Sequence, residues 1–189
     1  MHEIFNKELN YIKDSRIKNS LITILNKLPK YFYEIPTSST GKYHPSFSNG
    51  EKGLVRHTKA AIRIAKELMD NESLNNFTQN EKDLILFALM IHDGLKSGKT
   101  QSQYTAFDHP IQISNFIKEN KNELELADDE IDLICRCVET HMGPWTTVYK
   151  GNEILQAPKD KYQRFTHMCD YLSSRKFLDI KFENNDIID

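Results

Sequence analysis

The sequence predicts an all-α fold, a single bundle of about six main helices. Three observations carry this prediction. Apolar residues recur at spacings of three and four along most of the chain. Runs of alternating polar and apolar residues, the mark of a strand, are scarce. Capping residues, glycines and prolines punctuate the periodic segments at helix length.

Residues 1–30 form the first expected element, a helix from about Glu3 to Leu28. Its apolar residues are Ile4, Phe5, Leu9, Ile12, Leu21, Ile24, Leu25 and Leu28, and Pro29 interrupts it. Residues 31–53 are irregular, with Ser, Thr, Gly and Pro throughout; loops of this length inside a compact domain are often functional. The helical core is expected over 54–178. A second helix runs from about Leu54 to Met69, with Ala61, Ile64, Ala65 and Leu68 on one face. Thr78-Gln79-Asn80-Glu81 is a capping box, in which the hydroxyl and the carboxylate each satisfy a free backbone N–H. The helix behind it, Glu81 to about His92, is apolar almost all round, as a central buried helix is, and Gly94 ends it. Asp108-His109-Pro110 opens a fourth helix, with Pro in the tolerated first turn. Asp128 or Asp129 is expected to cap a fifth, which runs to His141 and stops at Gly143-Pro144. A last helix spans about Asp160 to Leu178. A short hairpin is expected near Trp145 to Leu155, and residues 179–189 read as a tail. No repeat or low-complexity linker divides the chain, so residues 1–189 are taken as one domain.

Composition narrows the function. With 189 residues, 39% hydrophobic and 28% charged, the chain can bury a core without disulfides. The longest apolar run, Leu84 to Ile91, falls far short of the ~20 residues of a membrane span. A net charge of −2 argues against gripping a long duplex nucleic acid, yet allows a small anionic substrate. The N-terminus lacks a basic segment followed by an apolar one, so a cytoplasmic location is expected. The three cysteines, Cys135, Cys137 and Cys169, make no disulfide framework and read as small core residues in a reducing compartment. The oligomeric state is left open.

The histidines carry the chemical signal. His92-Asp93 stands at the end of the most apolar helix, a costly place for a carboxylate unless it is paired or holds a metal. His57 begins the preceding helix, His109 begins the next, and His141 ends the one after that. Asp170 lies in the last helix among Phe165, Met168, Cys169 and Leu172. A single His at a helix end is more often a cap or a solvated residue, and Asp170 alone fits a buried hydrogen-bonding role. Five helices that each offer an imidazole or a carboxylate can instead converge on one interior point, as metal sites in bundles do.

The ordered set His57…His92-Asp93…Asp170 resembles the signature of the HD-domain superfamily of metal-dependent phosphohydrolases. The surrounding residues fit as well: Gly53-Leu54-Val55-Arg56-His57-Thr58, Ala88 to Lys96, Asp108-His109-Pro110, His141-Met142-Gly143 and Asp170-Tyr171-Leu172. Among such domains it is most similar to those of bacterial 3′–5′ exoribonucleases and phage-borne hydrolases, without room for the OB-fold that the exoribonucleases add. The resemblance implies that His57, His92, Asp93 and Asp170 hold one metal ion. It also implies that His109 and His141 help hold a second, with Asp93 bridging. One or two divalent transition-metal ions (Mn, Fe, Co, Ni or Zn) suit such an imidazole-rich set better than Mg. No Walker loop or dinucleotide fingerprint is present, so no organic cofactor is expected.

Lys96, three residues after Asp93, is by the same resemblance a group that faces substrate phosphate or polarises the nucleophilic water; the plain alternative is a solvated cation past a helix end. His44, in the irregular stretch, can reach the site mouth or have no role. His167 lies one turn before Asp170 and either touches substrate or orients Asp170. Arg175, with Lys176, is a candidate phosphate contact or a solvated face, and Trp145 a candidate for stacking on a nucleobase or for ordinary packing. Tyr43 and Tyr104 are loop aromatics without a stronger claim, and His2 belongs to the N-terminal end.

The expected activity is hydrolysis of a phosphoester bond in a nucleotide or short single-stranded oligonucleotide by a metal-activated water, with Asp93 and Lys96 as the catalytic pair. Two alternatives stand beside it. Some HD-domain proteins, resembling myo-inositol oxygenase and the phosphonate-cleaving oxygenases, use the same ligand types around a mixed-valent di-iron centre. A non-catalytic nucleotide-binding protein is the other.

Overall fold

The computed structural model describes residues 1–38, 44–147, 151–178 and 180–188. Among these, seven α-helices form the bundle: α1 (Asn6–Leu9), α2 (Ser15–Lys27), α3 (Gly53–Asp70), α4 (Gln79–Ile91), α5 (His109–Glu119), α6 (Asp128–Glu139) and α7 (Lys161–Ser173). Helix α4 is the centre and touches α2, α3, α6 and α7. Every residue from Asp83 to Ile91 is buried, as a helix without a polar face must be. The Thr78 and Glu81 capping box is formed as expected. Around α4, α3 packs on α7 and α5 on α6. None of the described helices is long and apolar enough to cross a membrane.

The N-terminal helix is not continuous. A 3₁₀ turn (His2–Phe5) and the single turn of α1 lead to a break, and α2 starts afresh behind Asp14, whose carboxylate accepts from Arg16 N. The cause lies 70 residues away. Asp83, buried in α4, accepts from the backbone N–H of both Lys13 (2.9 Å) and Asp14 (2.8 Å), which ties the chain down where a straight helix would carry it past.

Two further expectations are corrected. Helix α6 takes neither Asp128 nor Asp129 as its cap; the Glu130 carboxylate reaches back to Ala127 N. Helix α7 opens on the Asp160–Gln163 capping box and ends at Ser173, a turn earlier than expected. In the segment expected as a hairpin, the described residues show an isolated bridge between Thr147 and Glu153; its tip, 148–150, lies outside the described residues, as does Tyr43.

The supposed tail is structured. β1 (Phe182–Glu183) and β2 (Asp186–Ile187) pair antiparallel through Asn184 and Asn185, both at positive φ, where Asn is tolerated. This hairpin lies on α3. Asp186 pairs with Lys59 at 2.6 Å, Asn185 accepts from Arg56 at 2.8 Å, and the Ile187 carbonyl accepts from Lys7 at 3.1 Å.

Candidate metal centre

Helix α3 places His57, and the irregular stretch before it fixes where α3 begins. Leu54 N donates to Ile35 O and the Thr37 hydroxyl to Gly53 O. Gly53 is needed there because a Cβ would fall 2.0 Å from Ser48 O. Helix α4 delivers His92 and Asp93 at its C-terminal end, α5 delivers His109 at its first residue, the turn after α6 delivers His141, and α7 delivers Asp170. All six predicted ligands converge, and His57, His92, Asp93, His109 and His141 are buried.

The two oxygens of Asp93 face different neighbours. Oδ1 lies 3.0 Å from His109 Nε2 and 3.7 Å from His141 Nε2. Oδ2 lies 3.5 Å from His92 Nε2 and 3.8 Å from His57 Nε2. Asp170 Oδ1 completes the second group, 3.0 Å from His57 Nε2 and 3.4 Å from His92 Nε2. The two oxygens of one carboxylate thus face two pairs of imidazoles.

Every imidazole is held by its other nitrogen. Nδ1 of His92, His109 and His141 each sits 2.7 Å from the carbonyl three residues earlier, of Leu89, Ala106 and Val138. A carbonyl only accepts, so Nδ1 carries a proton and Nε2 is the nitrogen turned toward the cluster, where it offers a lone pair whenever the ring is neutral. For His57 the partner is Ser173: its hydroxyl donates to Asp170 O at 2.7 Å and so accepts from His57 Nδ1 at 3.0 Å. Fixing the tautomer through Nδ1 is what metal-ligating histidines require.

Nε2 of His57 and of His92 is buried without a hydrogen-bond partner, although carboxylate oxygens stand 3.0–3.8 Å away. Nε2 of His109 and of His141 face each other at 3.1 Å. Imidazole nitrogens and carboxylates crowded in this way call for positive charge, from protons or from a metal ion. Burial works against ionisation, yet Lys96, His92, His109 and His141 hold Asp93 well below the ordinary carboxylate range. His92 and His57 do the same for Asp170. Burial opposes a charge on His92 too, but Asp93 and Asp170 push it up to about 9. Burial pushes His57 and His109 down. The donor set, four imidazoles and two carboxylates, fits divalent transition metals. His57, His92 and Asp170 form one compact ligand group, and His92, Asp93 and His141 another.

A family model described as HD domain matches residues 54–175, well over half of the chain. The chain belongs to the HD-domain family. HD domains are metal-dependent hydrolases that bind divalent ions, and the residues that converge here are those by which the sequence resembled them. No curated protein and no solved structure matches the chain.

The candidate metal centre of this HD domain lies on the wall of a cavity of about 600 Å³. Lys96, His44, His167, Trp145 and Arg175 all line it. Lys96 Nζ sits 2.5 Å from Asp93 Oδ2. It is therefore no solvated cation past a helix end. The His44 ring packs edge-on against His57, and burial, with His57 and Lys96, pushes it down to about 4. His167 turns away from Asp170: its Nδ1 donates to the carbonyl of His141 at 2.7 Å. Gly143 makes room for it, since a Cβ there would fall 2.2 Å from His167 Cε1. Tyr104 is exposed and does not line the cavity. His2 is bound to Asn26 at 2.8 Å.

Sequence reasoning missed several residues of the site. Ser173, which holds His57, and Ser174, which lines the cavity, follow Asp170 by three and four positions, so helical spacing from a predicted ligand was a usable signal. Tyr171 lines the cavity from the same helix end. Thr37 and Thr105 enter from loops, where no periodicity marks them.

Proposed function

We propose that the protein hydrolyses a phosphoester bond of a nucleotide or short single-stranded oligonucleotide. One or two divalent ions (Mn, Fe, Co, Ni or Zn) would be held by His57, His92, Asp93, His109, His141 and Asp170. The observation that carries this reading is Asp93, whose two oxygens each face a separate pair of imidazole Nε2 atoms. Bound ions supply an activated water and offset negative charge on the phosphate.

The chain's own groups supply the rest. The Nδ1 hydrogen bonds keep four imidazoles in one tautomer without reorganisation. Lys96, fixed against Asp93 on the cavity wall, places a positive charge where phosphate oxygens gain negative charge. Arg175, His44 and His167 border the same space as substrate contacts. The cavity volume lies in the range of small-ligand sites and suits a nucleotide or the end of a single strand rather than a duplex.

The test is metal analysis joined to a phosphoester panel under argon with Mn²⁺: mononucleotides, cyclic mono- and dinucleotides, deoxynucleoside triphosphates and short single strands. Metal-dependent release of phosphate or nucleoside monophosphate, lost in Asp93→Ala, is expected. Oxygen consumption by an iron-loaded protein without hydrolysis would replace this reading with an oxygenase. Tight binding with no turnover across the panel would replace it with a binding protein.

A further inference from the structure

One wall of the cavity is built differently from the candidate metal centre. Trp145 stacks near-parallel to Tyr171, with ring centroids 6.2 Å apart and planes 22° apart. The His167 ring meets the indole edge-on at 6.2 Å and lies tilted against Tyr171 at 5.8 Å. The Arg175 guanidinium lies 4.1 Å from the centre of the Tyr171 ring. Three aromatic rings and a guanidinium thus support one another. The His141 carbonyl, through His167, ties them to the candidate metal centre.

This wall is not ordinary packing. Trp145 keeps 51% of its surface exposed while it lines the cavity, and Tyr171 and His167 are its ring contacts among the described residues. Arg175 adds a positive charge. Its partners are the Ser174 hydroxyl, the Tyr171 carbonyl and the Tyr171 ring, and among the described residues it makes no ion pair with a carboxylate. A half-exposed indole and a centre suited to anions on the walls of one cavity call for a ligand that carries both a flat ring and a phosphate.

We propose that Trp145, backed by Tyr171 and His167, is a nucleobase platform on which the base of the scissile nucleotide stacks unpaired, while its phosphate lies between the metal centre and Arg175. This rests on the phosphoester reading above and narrows it. The substrate is a nucleotide, or the frayed end of a single strand, recognised by the π-face that every base presents. Sugar phosphates and duplex ends, which present no free base, are poor ligands.

Trp145 is the single tryptophan of the chain, so its fluorescence reports the platform directly. The full chain, loaded with spectroscopically silent Zn²⁺, is titrated with two uncleavable probes. One is an adenosine monophosphate analogue with methylene in place of the ester oxygen; the other is ribose 5-phosphate with the same replacement. The nucleotide probe is expected to quench Trp145 and to bind about tenfold or more tighter than the sugar probe. By calorimetry, Trp145→Ala should bring the two affinities together without weakening the sugar probe, and Trp145→Phe should restore most of the gap. Equal affinities without quenching in the wild type would overturn the platform and leave the anion centre standing. A tenfold preference that survives Trp145→Ala would also overturn it. Binding of neither probe would remove the phosphoester reading and the platform together.

Discussion

Replacing Asp93 by Asn preserves the shape of the side chain and removes what it does. One oxygen becomes an NH₂ group that donates and cannot ligate, and the negative charge is lost. Whichever way the amide turns, either the His109–His141 side or the His57–His92–Asp170 side loses its shared oxygen. Loss of an outer-shell partner alone typically costs 10–100-fold in metal affinity, so loss of a direct bridging ligand should reach about 100-fold. Metal at 100 times the wild-type Kd stabilises the wild type by about 2.7 kcal/mol. At the same concentration the variant is only half occupied and gains about 0.4 kcal/mol. For a chain of this length, that is a rise in Tm of about 5–11 °C against about 1–2 °C. Thermal unfolding with and without Zn²⁺ or Mn²⁺, beside direct metal analysis, reads both. A variant that keeps the full metal-dependent rise would show that Asp93 is not a shared ligand and would remove the physical basis of the site.

Four further outcomes are expected. Lys96→Ala should keep full metal content and lose at least tenfold in turnover, and unchanged turnover would reduce Lys96 to a structural partner of Asp93. Ser173→Ala frees Nδ1 of His57 and should weaken metal binding about 10–100-fold without unfolding the protein; isotherms identical to wild type would contradict the role of that hydroxyl. Gly143→Ala forces a Cβ into a backbone at φ 64 and against the His167 ring; the backbone alone should cost about 1–2 kcal/mol, lowering Tm by about 2–8 °C in a melt. Burial pushes the Cys137 thiol up to about 12 and raises Cys135 and Cys169 as well, so none should react with a disulfide reagent at pH 8 until denaturant is added. Rapid labelling of the native protein would contradict that burial.

Local signals were legible where local forces decide. The Thr78–Glu81 box, the all-apolar run of α4 and the Asp108-His109-Pro110 start each act within one or two turns, and each appears at its place. The six candidate ligands were legible as a set because each stands at or near a helix end or beside apolar neighbours, where an ionisable group needs a reason, and because their order resembles the HD-domain signature. The break before α2 was hidden because Asp83 imposes it from another helix, and a carboxylate in a periodic segment does not announce which distant N–H groups it will hold. The hairpin at 182–187 was hidden for a related reason. Two-residue strands have no periodicity to read, and the Asn184-Asn185 turn was the lone cue. The Trp145–Tyr171 stack was half legible: the indole was marked, its tyrosine partner was not, since pairing across α7 and the turn after α6 is a tertiary fact.

The ammonium of Lys59 is 1% exposed, and the carboxylate that meets it at 2.6 Å stands 127 positions further along the chain. A chain cut before Phe182 would lose Asp186 and leave that buried ammonium with Glu8, 3.6 Å away, as its acidic partner among the described residues, on the helix that also carries His57.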